Sequence, residues 1–166
     1  MPTKQYRAAV ITASDKGFRG EREDISGNVL KQLLQQNGYT IESYCVLPDD
    51  KEALAAEMAR LADNDLCDAV FTTGGTGLSP RDVTPEATLA VAHRLVPGIS
   101  EAMRAYSMTV THRAMLSRGV SVIRERTLII NLPGSPKAVE ESLGVILDAV
   151  SHGLAILRGD DGECAR

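Results

Sequence analysis

At 166 residues the chain suits one domain able to bury most of its apolar surface, and 43% hydrophobic with 24% charged residues is ordinary for a globular protein. A net charge of −4, no Trp, two Phe and four Tyr argue against nucleic acid, which needs a basic face or a stacking platform. The N-terminus lacks a signal-peptide core, no segment approaches the ~20 apolar residues of a membrane span, and Cys45, Cys67 and Cys164 form no zinc pattern. A cytoplasmic location is expected.

Arg7–Ala13 is a short apolar run suited to a buried strand, followed by a polar loop, Ser14–Glu23. Ser26 is expected to start a helix with Val29, Leu30, Leu33 and Leu34 on its apolar face, ending at Gly38. Thr40–Leu47 reads as a second strand. Pro48-Asp49-Asp50 then leads into a helix carrying Leu54, Met58 and Leu61 on one stripe. Asp68–Thr73 is a third strand, and a glycine-rich loop follows it. Thr84-Pro85 opens the next helix, with Thr84 as the expected N-cap. Residues 98–117 are helical but poorly patterned: Met103, Tyr106, Met108 and Met115 form no core stripe, which makes this region a candidate interface. Val120–Ile123 and Thr127–Leu132 read as strands joined by the turn Arg124-Glu125-Arg126. Ser135-Pro136 caps a long helix with Val139, Leu143, Ile146 and Val150 facing inward, and the polar tail from Arg158 is expected to fray. Strands alternating with amphipathic helices predict one α/β domain over residues 1–166, a sandwich around a mostly parallel, mixed sheet.

In such a sheet function gathers beyond the carboxyl ends of the parallel strands. Four segments fall there: Ser14-Asp15, Pro48-Asp49-Asp50, Thr73–Asp82 and Pro133-Gly134-Ser135. The loop Thr73-Gly74-Gly75-Thr76-Gly77-Leu78-Ser79-Pro80-Arg81-Asp82 has three glycines in four residues, so its N–H groups can turn toward a ligand. Thr73, Thr76 and Ser79 add hydroxyls, and Arg81 adds a fork for phosphate. It is neither a Walker loop nor a Rossmann fingerprint, because no Gly-Lys-Ser/Thr follows and Pro80 takes the last glycine position.

With Thr84 as cap, Asp82 has no structural task and is read as functional. Asp49 and Asp50 can each cap the following helix, so one is expected to cap and the other to face the cleft. Ser135 is a good cap, and the helix it begins could also present its N-terminus and Lys137 to an anion. His93, His112 and His152 are scattered and suit surface or packing roles.

TGGTG followed by SPRDVTPEAT (73–88) resembles the signature of the MogA/MoaB family, the molybdopterin adenylyltransferases. The resemblance extends to ITASD (11–15), DISG (24–27), LPDD (47–50), LSR (116–118) and LIINLPGSPKA (128–138), in order along nearly the whole chain. It implies a three-layer α/β fold, a homotrimer, and adenylyl transfer from MgATP to molybdopterin with release of pyrophosphate. Asp49 and Asp82 would be the important acidic positions, holding or orienting Mg²⁺. The glycine loop would bind phosphates, with Ser14, Asp15, Ser117, Arg118, Gly134 and Ser135 around them. The product would pass to a molybdenum-insertion protein. Two rivals remain: a molybdopterin-binding paralogue that does not turn over, and a nucleotide pyrophosphatase of the competence-damage type that hydrolyses nucleotide without pterin.

Overall fold

The computed structural model describes residues 4–160. Its strands are β1 (Arg7–Ala13), β2 (Thr40–Leu47), β3 (Ala69–Thr73), β4 (Arg94–Leu95), β5 (Ser121–Arg124) and β6 (Thr127–Leu132). The helices are α1 (Asp15–Phe18), α2 (Ile25–Gln36), α3 (Lys51–Asp63), α4 (Thr84–Val91), α5 (Pro97–Val110) and α6 (Pro136–Arg158), with a 3-10 turn at His112–Leu116. The sheet runs β2-β1-β3-β6-β5-β4. Its first four strands are parallel, β5 runs antiparallel to β6 and β4 antiparallel to β5, so the expected mixed sheet is present.

Strand alternation divides the core in two. Val10, Phe71 and Ile130 face one way, against Leu30 and Leu34 of α2, Met103 of α5, and Val139, Leu143 and Ile146 of α6. Ile11, Val70 and Ile129 face the other way, against Leu54, Met58 and Leu61 of α3 and Ala87 and Val91 of α4. The result is three layers. Each of the fully buried Leu and Met side chains contributes about 1.5–3 kcal/mol relative to exposure, before ordering entropy is subtracted. Polar residues inside the strands are paired: Asn131 donates to Thr72 and Thr88 Oγ1 at 3.0 and 2.9 Å and accepts from the Val120 N–H at 3.1 Å.

Several expectations need correction. Helix α2 begins at Ile25, not Ser26, because the Asp24 carboxylate accepts from the Gly27 N–H and is the cap. The supposed loop after β1 contains α1, capped by Ser14. Thr84 is not a cap: it is the first residue of α4, and its hydroxyl donates to the Gly74 carbonyl at 3.0 Å. The region 98–117 is two elements, broken at Thr111, whose extended backbone starts the 3-10 turn. Met103 belongs to the core, whereas Tyr106 and Met115 are exposed. Strand β4, two residues long, carries too little pattern to read from sequence. Arg158 is not frayed; it is the last helical residue and bonds Asp65, with Gly159 in the left-handed conformation behind it. Residues 161–166 of the expected tail, with Cys164, lie outside the described residues.

Candidate functional site

The carboxyl ends of β1, β2, β3 and β6 share one edge, and the four segments expected there converge on it. The glycine loop leaves β3 with Gly74 at φ +89° and Gly75 at +69°, conformations that side chains resist. Space is equally restrictive. A Cβ on Gly74 would lie 2.4 Å from the Ala13 carbonyl oxygen, and one on Gly75 would lie 2.3 Å from Thr84 Oγ1. Thr84 closes the loop twice, through its hydroxyl to Gly74 and its N–H to the Gly75 carbonyl. Thr73 fastens the other side by donating to the Pro133 carbonyl at 2.6 Å.

Asp49 and Asp50 have separated their tasks. Asp50 caps α3, accepting from the Ala53 N–H at 2.8 Å. Asp49 turns to the edge, where it and Asp15 exchange backbone N–H groups for carboxylate oxygens at 3.0 Å each way. Arg81 grips both oxygens of Asp15 at 2.9 and 3.0 Å. The Arg81 hydrogen bonds, with the Asp49 N–H, hold the Asp15 carboxyl below its ordinary range. Burial pushes the Asp49 carboxyl up, the charges of Asp15 and Asp82 add to the push, and the Asp15 N–H opposes it.

Asp82 does have a structural task after all: its Oδ2 accepts from the Ser79 N–H at 3.0 Å and shapes the loop. Ser79 Oγ accepts from the Arg81 N–H at 3.3 Å. A Cβ on Gly77 would lie 2.8 Å from Asp82 Oδ2, and one on Gly75 would lie 3.2 Å from Asp49 Oδ1. Both carboxylates therefore lie against the glycine loop, each with one oxygen free of hydrogen-bond partners among the described residues. These are hard oxygen donors of the kind Mg²⁺ takes, usually one or two carboxylates completed by phosphate and water. Among the described residues no three acidic, His or Cys side chains could enclose a metal unaided.

Arg118 is hydrogen-bonded to the glycine loop itself. Its guanidinium donates to the Gly77 and Asp82 carbonyls at 2.7 Å each and pairs with Glu86, while its N–H holds the Thr76 carbonyl. Ser117 Oγ accepts from the Gly119 N–H at 3.5 Å, and Ser135 caps α6 through the Ala138 N–H at 3.2 Å. The Gly134 carbonyl accepts from Ser26 Oγ at 2.6 Å, which ties the start of α2 to the start of α6.

A cleft of about 490 Å³ opens along this edge, lined by Ser14, Thr73, Gly74 and Gly134 and by residues not expected in the site, Arg22, Asp24 and Ser26 among them. Asp24 accepts from Thr12 and Tyr44 hydroxyls at 2.7 and 2.6 Å and holds α2 against β1 and β2. Arg22 has no ion-pair partner among the described residues. The DISG stretch signalled Asp24 and Ser26; nothing in the spacing signalled Arg22. The edge thus presents loop and helix N–H groups to an anion, with two half-free carboxylates beside them.

Residues 9–152 match the family model described as "Probable molybdopterin binding domain". The chain belongs to that family. Among curated relatives of this molybdopterin-binding domain, the molybdopterin adenylyltransferase of Helicobacter pylori strain J99 is 36% identical over 91% of this chain and 87% of its own length. The molybdopterin adenylyltransferase of Escherichia coli K12 is 39% identical, covering 89% and 79%. The solved molybdopterin biosynthesis enzyme MoaB of Thermus thermophilus superposes with a TM-score of 0.88 at 42% identity, over 93% of this chain and 98% of that one. The molybdopterin-binding domain thus has the expected fold across most of its length.

Proposed function

We propose that the protein is a molybdopterin adenylyltransferase: an oxygen of the molybdopterin phosphate attacks the α-phosphorus of ATP, a new P–O bond forms, the bond to the β-phosphate bridge breaks, and pyrophosphate leaves. One observation carries this reading. In a chain related to molybdopterin adenylyltransferases, Asp49 and Asp82 lie against a closely packed glycine loop at the carboxyl edge of the sheet. The step asks the protein for positioning and charge neutralisation rather than covalent chemistry.

The N–H groups of the Gly74–Gly77 loop and the start of α6 bind phosphate oxygens, and Arg118 and Thr84 keep that loop rigid. Ser14, Asp15, Thr73, Thr76, Ser79, Arg81, Ser117, Gly134 and Ser135 make up the rest of the proposed binding edge. Asp49 and Asp82 would hold Mg²⁺ through their free oxygens, and the cation when bound offsets the charge of the triphosphate. The working form is a homotrimer in the cytoplasm that hands its product to a molybdenum-insertion protein. The exposed Tyr106, Val110, Met115 and Leu116 of α5 and the 3-10 turn support the assembly. A monomer by sedimentation at micromolar concentration overturns the trimer.

The test of the reaction is chromatography of products from ATP and molybdopterin with Mg²⁺. Adenylylated molybdopterin and an equal amount of pyrophosphate are expected. ATP consumed equally without pterin would indicate a pyrophosphatase, and pterin bound without turnover a binding protein.

A further inference from the structure

An exposed ion pair joins two segments of the carboxyl edge. Arg81, on the glycine loop, donates from Nε and Nη2 to the two carboxylate oxygens of Asp15, at the start of α1. Among the described residues its guanidinium has no other hydrogen-bond partner. The fork expected to grip phosphate is thus occupied by a carboxylate of the protein itself. Asp15 has no donor to offer an anion in return, because an ionised carboxylate only accepts, and its Oδ1 also takes the Asp49 N–H at 3.0 Å. Whatever Asp15 does for an anion at this edge, it does through Arg81.

The pair is loosely held. The Arg81 side chain is 63% exposed and that of Asp15 25%, so water screens their attraction, and pairs of this kind shift an equilibrium by no more than about fivefold. By contrast Asp68, at the opposite end of the strands, is buried with its cation Arg158. A phosphate group offers a guanidinium the same two-oxygen geometry as a carboxylate, with more charge. Asp15 is not stranded when Arg81 leaves it: the Asp49 N–H stays, and water reaches its oxygens. We infer that Asp15 is a positioning residue that competes with the anion for Arg81, holding the guanidinium while the edge is empty, yielding it to a phosphate, and recapturing it as pyrophosphate leaves. The inference rests on the proposed reaction for pyrophosphate as the departing anion. It also fixes the sign of an effect: removing the Asp15 charge tightens the hold on product, whereas removing a residue that binds the anion would loosen it.

The test is calorimetric titration of pyrophosphate, without Mg²⁺, into the full chain and its variants. Asp15→Asn keeps an acceptor for the Asp49 N–H and loses the charge that competes for Arg81. It should bind pyrophosphate about three- to fivefold more tightly than wild type, with the melting temperature little changed. Asp50→Asn is the control for charge alone. The Asp50 charge also acts on Arg81, its carboxylate makes no hydrogen bond to the guanidinium, and Asn still caps α3, so affinity should rise less than about twofold. In an Arg81→Gln background, Asp15→Asn should likewise gain less than about twofold, because no guanidinium is released. Weaker binding by Asp15→Asn overturns the inference and makes Asp15 a ligand residue. Equal gains in Asp15→Asn and Asp50→Asn overturn it too, as do a gain that survives Arg81→Gln and pyrophosphate that binds neither wild type nor Asp15→Asn. Reaction and exchange fail separately: a protein that forms no adenylylated molybdopterin, yet shows the Asp15→Asn gain and loses it with Arg81→Gln, refutes the transfer and keeps the exchange.

Discussion

Two adjacent aspartates show how far a side chain's role depends on where the backbone aims it. Spacing alone allowed either Asp49 or Asp50 to cap α3, and only the fold assigns the cap to Asp50. Replacing Asp50 with Ala should therefore cost about 1 kcal/mol of stability and leave turnover near normal. Asp49→Asn should do the reverse, folding normally while adenylyl transfer falls by ~10²–10³-fold, the scale of one electrostatic contact in a transition state. The sign of its stability effect follows from titration. Burial holds the Asp49 carboxyl above its unfolded value, so the ionised group works against folding once the pH exceeds that raised value. Asp49→Asn should then melt no lower than wild type at pH 7, and the acid limb of activity should lie above the usual carboxylate value of ~3.9. A lower melting point with full turnover would remove Asp49 from the chemistry. Arg22 was illegible beforehand because an arginine in a charged loop has no distinguishing neighbours in sequence; the cleft alone singles it out. Arg22→Ala should raise KM for a phosphate-bearing substrate by about three- to tenfold with little change in kcat, and Arg22→Lys should recover part. An unaltered KM for both substrates would leave Arg22 a solvated surface charge.

The long elements were legible because their apolar period is unambiguous: β1, β2, β3, β6, α3 and α6 fall where the pattern puts them. The failures are local hydrogen-bond choices that the sequence permits in more than one way. Thr84 before Pro85 is a cap by sequence, but the loop folded over it supplies a stronger claim on its hydroxyl, the Gly74 carbonyl. The same loop's carbonyls also accept from the Arg118 guanidinium. The loop is therefore a braced element, and its rigidity can be tested against a control glycine. Gly20 and Gly75 have nearly equal φ, +73° and +69°, but a Cβ on Gly20 meets nothing within 4 Å, whereas one on Gly75 lies 2.3 Å from Thr84 Oγ1. Gly20→Ala should cost only the left-handed backbone penalty, about 1–2 kcal/mol. Gly75→Ala should cost that plus the clash, about 2–4 kcal/mol in urea unfolding, and should lose turnover as the loop shifts. Equal losses in the two variants would mean that the loop yields freely and that bracing contributes nothing.

Across the whole molecule the two ends of the sheet treat their acidic groups in opposite ways. At the carboxyl edge Asp49 lies beside Asp15 and Asp82 and is pushed toward its neutral form. At the amino edge Asp68, 3% exposed, is surrounded by cations. Its carboxylate accepts from the Arg7 N–H at 2.7 Å and from the Arg7 guanidinium at 2.9 Å, and Arg158 approaches at 3.1 Å. Its backbone N–H donates to the Arg7 carbonyl and its carbonyl accepts from Leu128, so one residue joins the starts of β1, β3 and β6 to the end of α6. Burial pushes the Asp68 carboxyl up, but the Arg7 hydrogen bonds and the charge of Arg158 outweigh it and leave it below the ordinary value. A depressed carboxylate contributes stability that is fully present above the unfolded pKa of ~3.9 and is lost as pH falls through the lower folded value. Asp68→Asn should accordingly cost roughly 3 kcal/mol at pH 7, toward the low end for breaking a buried pair because Arg7 is partly open to solvent. The gap between wild type and variant should stay constant from pH 7 to about 5 and shrink below about 4, as the native carboxylate takes up its proton. Adenylyl transfer by the folded variant should match wild type, because the clamp lies at the far end of the strands from the glycine loop. Denaturant unfolding of both proteins at pH 7, 5, 4 and 3, with turnover measured at pH 7, checks each part. A gap that persists undiminished into acid would show that packing around Asp68, and not its charge, holds that end of the sheet together.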